Sequence, residues 1–130
     1  MDYLNIDTLK AYQLSRGHSK EAWEIYKHLK WQLQKAIGDQ YLRSSDSVGA
    51  NITEGYGRYH YLDKIKFYYN ARGSLLESKH WLDLLFERHI ITEERYNRIM
   101  NIYNNLAPAL NGLIKSTYKQ SDKKIKCPNY

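Results

Sequence analysis

Glu77 and His80 stand three residues apart, the carboxylate–imidazole spacing of metal sites built inside helical bundles. Such sites need the pair twice, with two further inward-facing glutamates. Here it occurs once, and Glu24 with His28, four apart, has a different geometry. The expectation is therefore a surface His80, a Glu77 paired with a cation, and neither metal nor cofactor. Asn51, Glu54 and Arg58 fall three and four apart and share one helix face. Glu54 and Glu77 supply carboxylates, but no nucleophile or metal set accompanies them, so no catalytic residue is assigned and the chain is expected not to be an enzyme. The chain contains no G-x-x-x-x-G-K-[ST], G-x-S-x-G or H-E-x-x-H, and no G-x-G-x-x-G following a strand.

A second chemistry lies in the cations and aromatics. Twenty Lys+Arg oppose fourteen Asp+Glu, a net charge of +6. Lys115, Lys119, Lys123, Lys124 and Lys126 crowd the C-terminal end against one acid, Asp122. Basic segments of this kind attract polyanions by releasing counterions. Arg43, Arg58, Lys64 and Lys66 join these lysines as candidate nucleic-acid contacts, with RNA the expected partner. Tyr59, Tyr61, Tyr68 and Tyr69 cluster with Arg58, Lys64, Lys66 and Arg72. Rings beside cations can stack on unpaired bases or fill a protein–protein interface; the second use is favoured, because an apolar stripe runs through the same region.

Helices must position these groups, since no alternating β-branched run is present. The first opens near Asp7, which can cap it, and carries Leu9, Tyr12, Ala22, Ile25, Tyr26 and Leu29 at helical spacing. Gly17-His18-Ser19 either interrupts it or is tolerated within it; one long helix is favoured. Gly38-Asp39 reads as a turn whose aspartate caps the next helix, from about Gln40 to Gly57. Its inward stripe, Leu42, Ser45, Val48, Gly49 and Ile52, is small and permits close helix approach. Gly55 and Gly57 can end it in a left-handed conformation. The third helix, about Tyr61 to His89, has a heptad seam of Phe67, Ala71, Ser74, Ser78, Trp81 and Leu85. A second stripe of Leu62, Ile65, Tyr69 and Leu76 calls for another partner, in the same chain or another subunit. Thr92 caps the fourth, whose buried stripe is Ile99, Ile102, Leu106, Leu110 and Leu113. Pro108 within it should bend the helix or mark a change of partners.

The chain is thus predicted to be all-α, an antiparallel up-and-down four-helix bundle over residues 1–119, with a basic, flexible tail over 120–130. At 130 residues it buries about two thirds of its unfolded surface, enough for a core without staples. Its one cysteine, Cys127, forms no intramolecular disulfide. No apolar run spans a membrane and no secretory signal opens the chain, so a cytoplasmic location is expected.

One stretch is distinctive. Arg43-Ser44-Ser45-Asp46-Ser47-Val48-Gly49-Ala50-Asn51-Ile52-Thr53-Glu54-Gly55-Tyr56-Gly57-Arg58 resembles the R-x-x-x-S-I-x-x-N-I-A-E-G-x-x-R signature of the four-helix-bundle proteins encoded in 23S rRNA intervening sequences. Ala71-Arg72-Gly73-Ser74-Leu75-Leu76-Glu77 resembles their second signature, A-x-G-S-x-x-E, at a fitting distance. Thr53 departs from the usual alanine. The resemblance implies a left-handed antiparallel bundle assembling into a ring-like homo-oligomer, a pentamer with a basic central surface. The related accessory variability determinant of diversity-generating retroelements is associated with nucleic acid and a reverse transcriptase, which makes a protein-interaction adaptor the alternative to RNA binding. Asn51, Glu54, Gly55, Arg72, Gly73, Ser74 and Glu77 are the structural motif residues. Glu54 or Glu77 is expected to pair with Arg72 or Arg43 between helices and fix their register. Gly73 and Ser74 are expected to let the Ser45–Gly49 stripe approach.

Overall fold

A computed structural model describes residues 5–125, with side chains through Ser121. Every regular element in that span is helical. A 3-10 turn, Ile6–Thr8, comes first, and the Asp7 amide donates to Asn5 Oδ1 at 3.2 Å. Asn5 thus caps this turn, and the first long helix, with Leu9 as its N-cap residue, has no side-chain cap, so Asp7 does not cap it. Helix α1 (Lys10–His28) passes through Gly17 without a break.

The break falls at Leu29 and Lys30, both extended. From there α2 (Trp31–Leu33), a π-helical turn over Gln34–Gly38 and α3 (Asp39–Tyr56) form one continuous run. The turn expected at Gly38-Asp39 does not exist; Gly38 is helical. Its glycine serves a close approach instead. A methyl group there would lie 3.0 Å from Leu29 Cδ1 and 3.2 Å from Tyr26 Cδ2. Asp39 accepts the Tyr26 hydroxyl at 2.7 Å, which fastens α3 to α1 and raises the phenol's pKa. Gln34 Nε2 donates at 2.9 Å to the Tyr26 carbonyl, which also accepts the Leu29 amide at 3.1 Å, and so ties the two sides of the break together.

Helix α3 does not end in a left-handed glycine, because Gly57 stays right-handed at φ −80°. Lys64 closes that end instead: its ammonium donates to the Tyr56 carbonyl at 2.8 Å and the Gly55 carbonyl at 3.5 Å. The left-handed residue is His89, at φ 60°, just past α4 (Tyr61–Glu87). There the Ile90 amide reaches the Leu85 carbonyl and the His89 amide the Phe86 carbonyl, the paired bonds of a Schellman end. Thr92 Oγ1 then accepts the Arg95 amide at 3.1 Å and caps α5 (Glu93–Ile125). Helix α5 continues past Lys119, so the segment expected as tail is helical through Ile125. Lys123 and Lys124 stand in that last stretch, and Lys126 lies outside the described residues.

Helices α1, α3, α4 and α5 pack in cyclic order, each against the next and α5 against α1. Two apolar clusters fill the space between them. One joins Ala11, Val48, Ile52, Tyr68, Ala71, Leu75, Leu106, Leu110 and Ile114; the other joins Ala22, Ile25, Ile37, Tyr41, Leu82, Leu85 and Ile99. A layer of buried polar residues, Ser15, His18, Ser45 and Ser78, separates them along the chain. On α4 the expected seam is only half right. Ala71, Ser78 and Leu85 are buried, but Tyr68, Leu75 and Leu82 complete the row, while Phe67, Ser74 and Trp81 are half-buried. On α5, Ile114 takes the place expected for Leu113. Helix α5 changes clusters between Ile99 and Leu106, before the exposed Pro108, so the proline does not mark the switch.

Gly55 sits where α3 meets α4. A methyl group on it would lie 2.7 Å from Tyr68 Cε1 and 3.0 Å from the Lys64 carbonyl oxygen. The ring and the backbone leave no room, so the clash outweighs the better helix propensity of alanine. Gly55→Ala is expected to cost about 1–3 kcal/mol of folding stability, measured by urea unfolding. An unchanged midpoint would show that α4 can retreat freely.

Candidate nucleic-acid interface

The cations assigned to nucleic acid divide into free and engaged sets. Arg43, Lys66, Lys115 and Lys119 are exposed and form no ion pair among the described residues. Lys64 is committed to the end of α3, and its partial burial lowers its pKa. Arg58 pairs with Glu54 at 3.4 Å, one turn back on its own side, and lies 4.7 Å over the Phe67 ring. Arg72 lies 4.6 Å over the Tyr69 ring and donates to Asn111 Oδ1 at 3.3 Å, joining α4 to α5. A guanidinium resting on an aromatic face keeps donors free for a phosphate or a carboxylate.

The interhelical ion pair expected of the motif is not formed. Glu54 turns to Arg58, and Glu77 accepts the Trp81 indole N–H at 3.0 Å, each within its own helical stretch. His80 packs edge-on against Trp81, and no set of metal-binding side chains gathers among the described residues. The register contact is a hydroxyl relay. Ser74 Oγ on α4 donates to Ser47 Oγ on α3 at 3.0 Å, and the Asn51 amide nitrogen donates to the same oxygen at 3.0 Å. Of the small residues on α3, Gly49 faces Ser15 of α1 and Gly55 faces α4, whereas Gly73 on α4 is exposed and a methyl group there would meet no neighbouring element within 4 Å. Gly73 therefore does not bring α3 closer.

The second stripe of α4 is divided: Ile65 is buried in the chain, whereas Leu62 and Leu76 lie open. Leu62 is 64% and Leu76 63% exposed, and Tyr69 between them packs edge-on against Tyr118 of α5. Tyr68 is buried, and burial pushes its phenol up to about 12. That places the aromatic cluster on two sides of the helix.

The residues over which a family model matches are 7–112, nearly the whole bundle, and the family is described as 23S rRNA-intervening sequence protein. The chain belongs to that family. A crystal structure of a protein of unknown function from the S23 ribosomal protein family of Bacteroides thetaiotaomicron has the same fold. It is 28% identical with a TM-score of 0.72, over 81% of this chain and 98% of that one. Among curated proteins none matches. The two signatures of the 23S rRNA-intervening family thus fall on the α3–α4 contact: the Ser47–Asn51–Ser74 relay, Gly55 under Tyr68, and the outward Arg72.

Two features of this family member were not legible as sites. Arg16, Lys20, Trp23 and Lys27 are spaced four, three and four apart and are all exposed on one side of α1. Beside them runs a groove of about 450 Å³, lined by Arg16, Gly17, Ser19, Lys20, Trp23 and Asp46. His18 lies on the opposite, buried side, and burial pushes its imidazole down to about 4. No helix among the described residues is long and apolar enough to cross a membrane.

Proposed function

We propose that the protein is a non-enzymatic RNA-binding protein of the cytoplasm, an antiparallel up-and-down bundle whose copies assemble into a ring, five by the family resemblance. The observation that carries RNA binding is the surplus of exposed cations that no carboxylate neutralises: Arg43, Lys66, Lys115 and Lys119. Repetition around a ring lets individually weak phosphate contacts add. The antiparallel order is supported by Tyr69 meeting Tyr118 while Arg72 meets Asn111, so that rising numbers on α4 face falling numbers on α5. The assembly is supported by Leu62 and Leu76, large apolar side chains on one side of α4 that the described residues leave exposed.

Filter retention of structured RNA at low salt tests the reading. Retention is expected to fall steeply as salt rises, because each neutralised phosphate releases a counterion. No retention at low salt, with a specific protein co-purifying instead, would replace it by the adaptor role.

A further inference from the structure

We propose that the groove on α1 binds single-stranded RNA, with an unpaired base on Trp23 and the adjoining phosphates on Arg16 and Lys20. The proposal rests on the RNA-binding reading above and names the site and the form of RNA.

Trp23 is the first ground. Its side chain is 50% exposed, and Tyr26 stacks on it with ring centroids 5.9 Å apart and planes 21° from parallel. A base placed on the indole extends a stack that already exists. Nucleic-acid proteins without sequence preference use this combination, an aromatic platform inside a basic track.

The cations come next. Arg16 precedes Trp23 by two turns, and Lys20 lies between them on the same side. The Tyr12 hydroxyl, 2.9 Å from Arg16 Nη1, holds the guanidinium in place, and its remaining donors stay available. Lys20 forms no ion pair among the described residues.

Gly17 supplies an independent ground. Glycine is a poor helix former, yet this one sits inside a 19-residue helix. A methyl group on it would meet no atom within 4 Å, so the chain's own packing does not call for it. It leaves the floor of the groove bare, where the edge of a planar ring can approach the helix backbone.

Asp46, on the α3 wall, decides between single strand and duplex. A carboxylate repels the paired phosphate rows of a duplex but accepts a hydrogen bond from a Watson–Crick-edge N–H, which only an unpaired base (N3–H of uracil included) leaves free. The volume of about 450 Å³ is in the range of pockets that take one small ligand, a nucleotide rather than a helix.

The test is fluorescence anisotropy with labelled oligouridylate and the full chain at low salt. Trp23→Ala is expected to weaken binding about 5- to 100-fold, the loss of one stacked base. Lys20→Ala should weaken it less and reduce the salt slope by about one. Gly17→Ala, whose fold is expected to be at least as stable as the wild type, should also weaken binding by narrowing the floor. If all three variants bind like a wild type that does bind, the groove is not the site and the broader reading survives. Duplex RNA competing as well as oligouridylate would overturn the stacked base. A wild type that binds no RNA removes both readings together.

Discussion

Lowering the pH from 7 to 4 is expected to strip about 3 kcal/mol of folding stability from the protein through one side chain, His18. Its imidazole is 1% exposed, in the polar layer between the two apolar clusters, and burial pushes its pKa down from 6.5 to about 4. At pH 7 the ring is neutral in the folded chain and mostly neutral in the unfolded one. Below 6.5 the unfolded chain takes up a proton that the folded chain refuses, so stability falls with pH. The loss is complete near pH 4, where the folded ring protonates too. The gap corresponds to about 3 kcal/mol at about 1.4 kcal/mol per pH unit. Urea unfolding at pH 7 and pH 4.5, on wild type and His18→Leu, isolates the effect from the carboxylates that titrate in the same range. The variant should lose about 2–3 kcal/mol less than the wild type on acidification. Equal losses in the two proteins would mean that His18 is hydrated in solution.

Leu76→Glu is expected to reduce the assembly to single chains of 15.5 kDa while leaving the bundle folded. Leu76 is 63% exposed on α4, so within one chain its replacement removes little buried surface. Against a second copy the same change buries a carboxylate among apolar groups, at a cost of several kcal/mol or dissociation. Gly73→Ala provides an independent check, since Gly73 is exposed on the same helix and a methyl group there would meet no other element among the described residues within 4 Å. Its methyl group should raise helix stability by up to about 1 kcal/mol in a monomer and weaken any interface pressed against it. A Leu76→Glu protein with the wild-type mass would place the interface elsewhere.

The helices themselves were legible, because apolar spacing fixes their number and rough extent. Their junctions were less so. Gly38 looked like punctuation, but its lack of a side chain is needed where Leu29 and Tyr26 press on the helix. The real break, at Leu29–Lys30, contains neither glycine nor proline and is held by Gln34 reaching the Tyr26 carbonyl. Half of the α4 seam lies one residue from its expected place: Tyr68, Leu75 and Leu82 are buried instead of Phe67, Ser74 and Trp81. That helix is apolar on two sides, so periodicity alone does not say whether Tyr68 or Tyr69 faces inward; the space under Gly55 decides for Tyr68. At the candidate interface, residue type marked the cations but not their engagements. Lys64 spends its charge on two carbonyls, and Glu77 turns to an indole rather than an arginine. The stripe from Arg16 to Trp23 has the spacing of one helix side, but spacing along one helix does not show the groove that Asp46 of α3 completes beside it.

Light scattering on the purified full chain, with and without added RNA, bears on assembly and binding together. A mass that is a multiple of 15.5 kDa, rising when RNA is added at low salt and returning at high salt, is the result the account expects. A particle of 15.5 kDa whose mass RNA does not change at any salt concentration would contradict it.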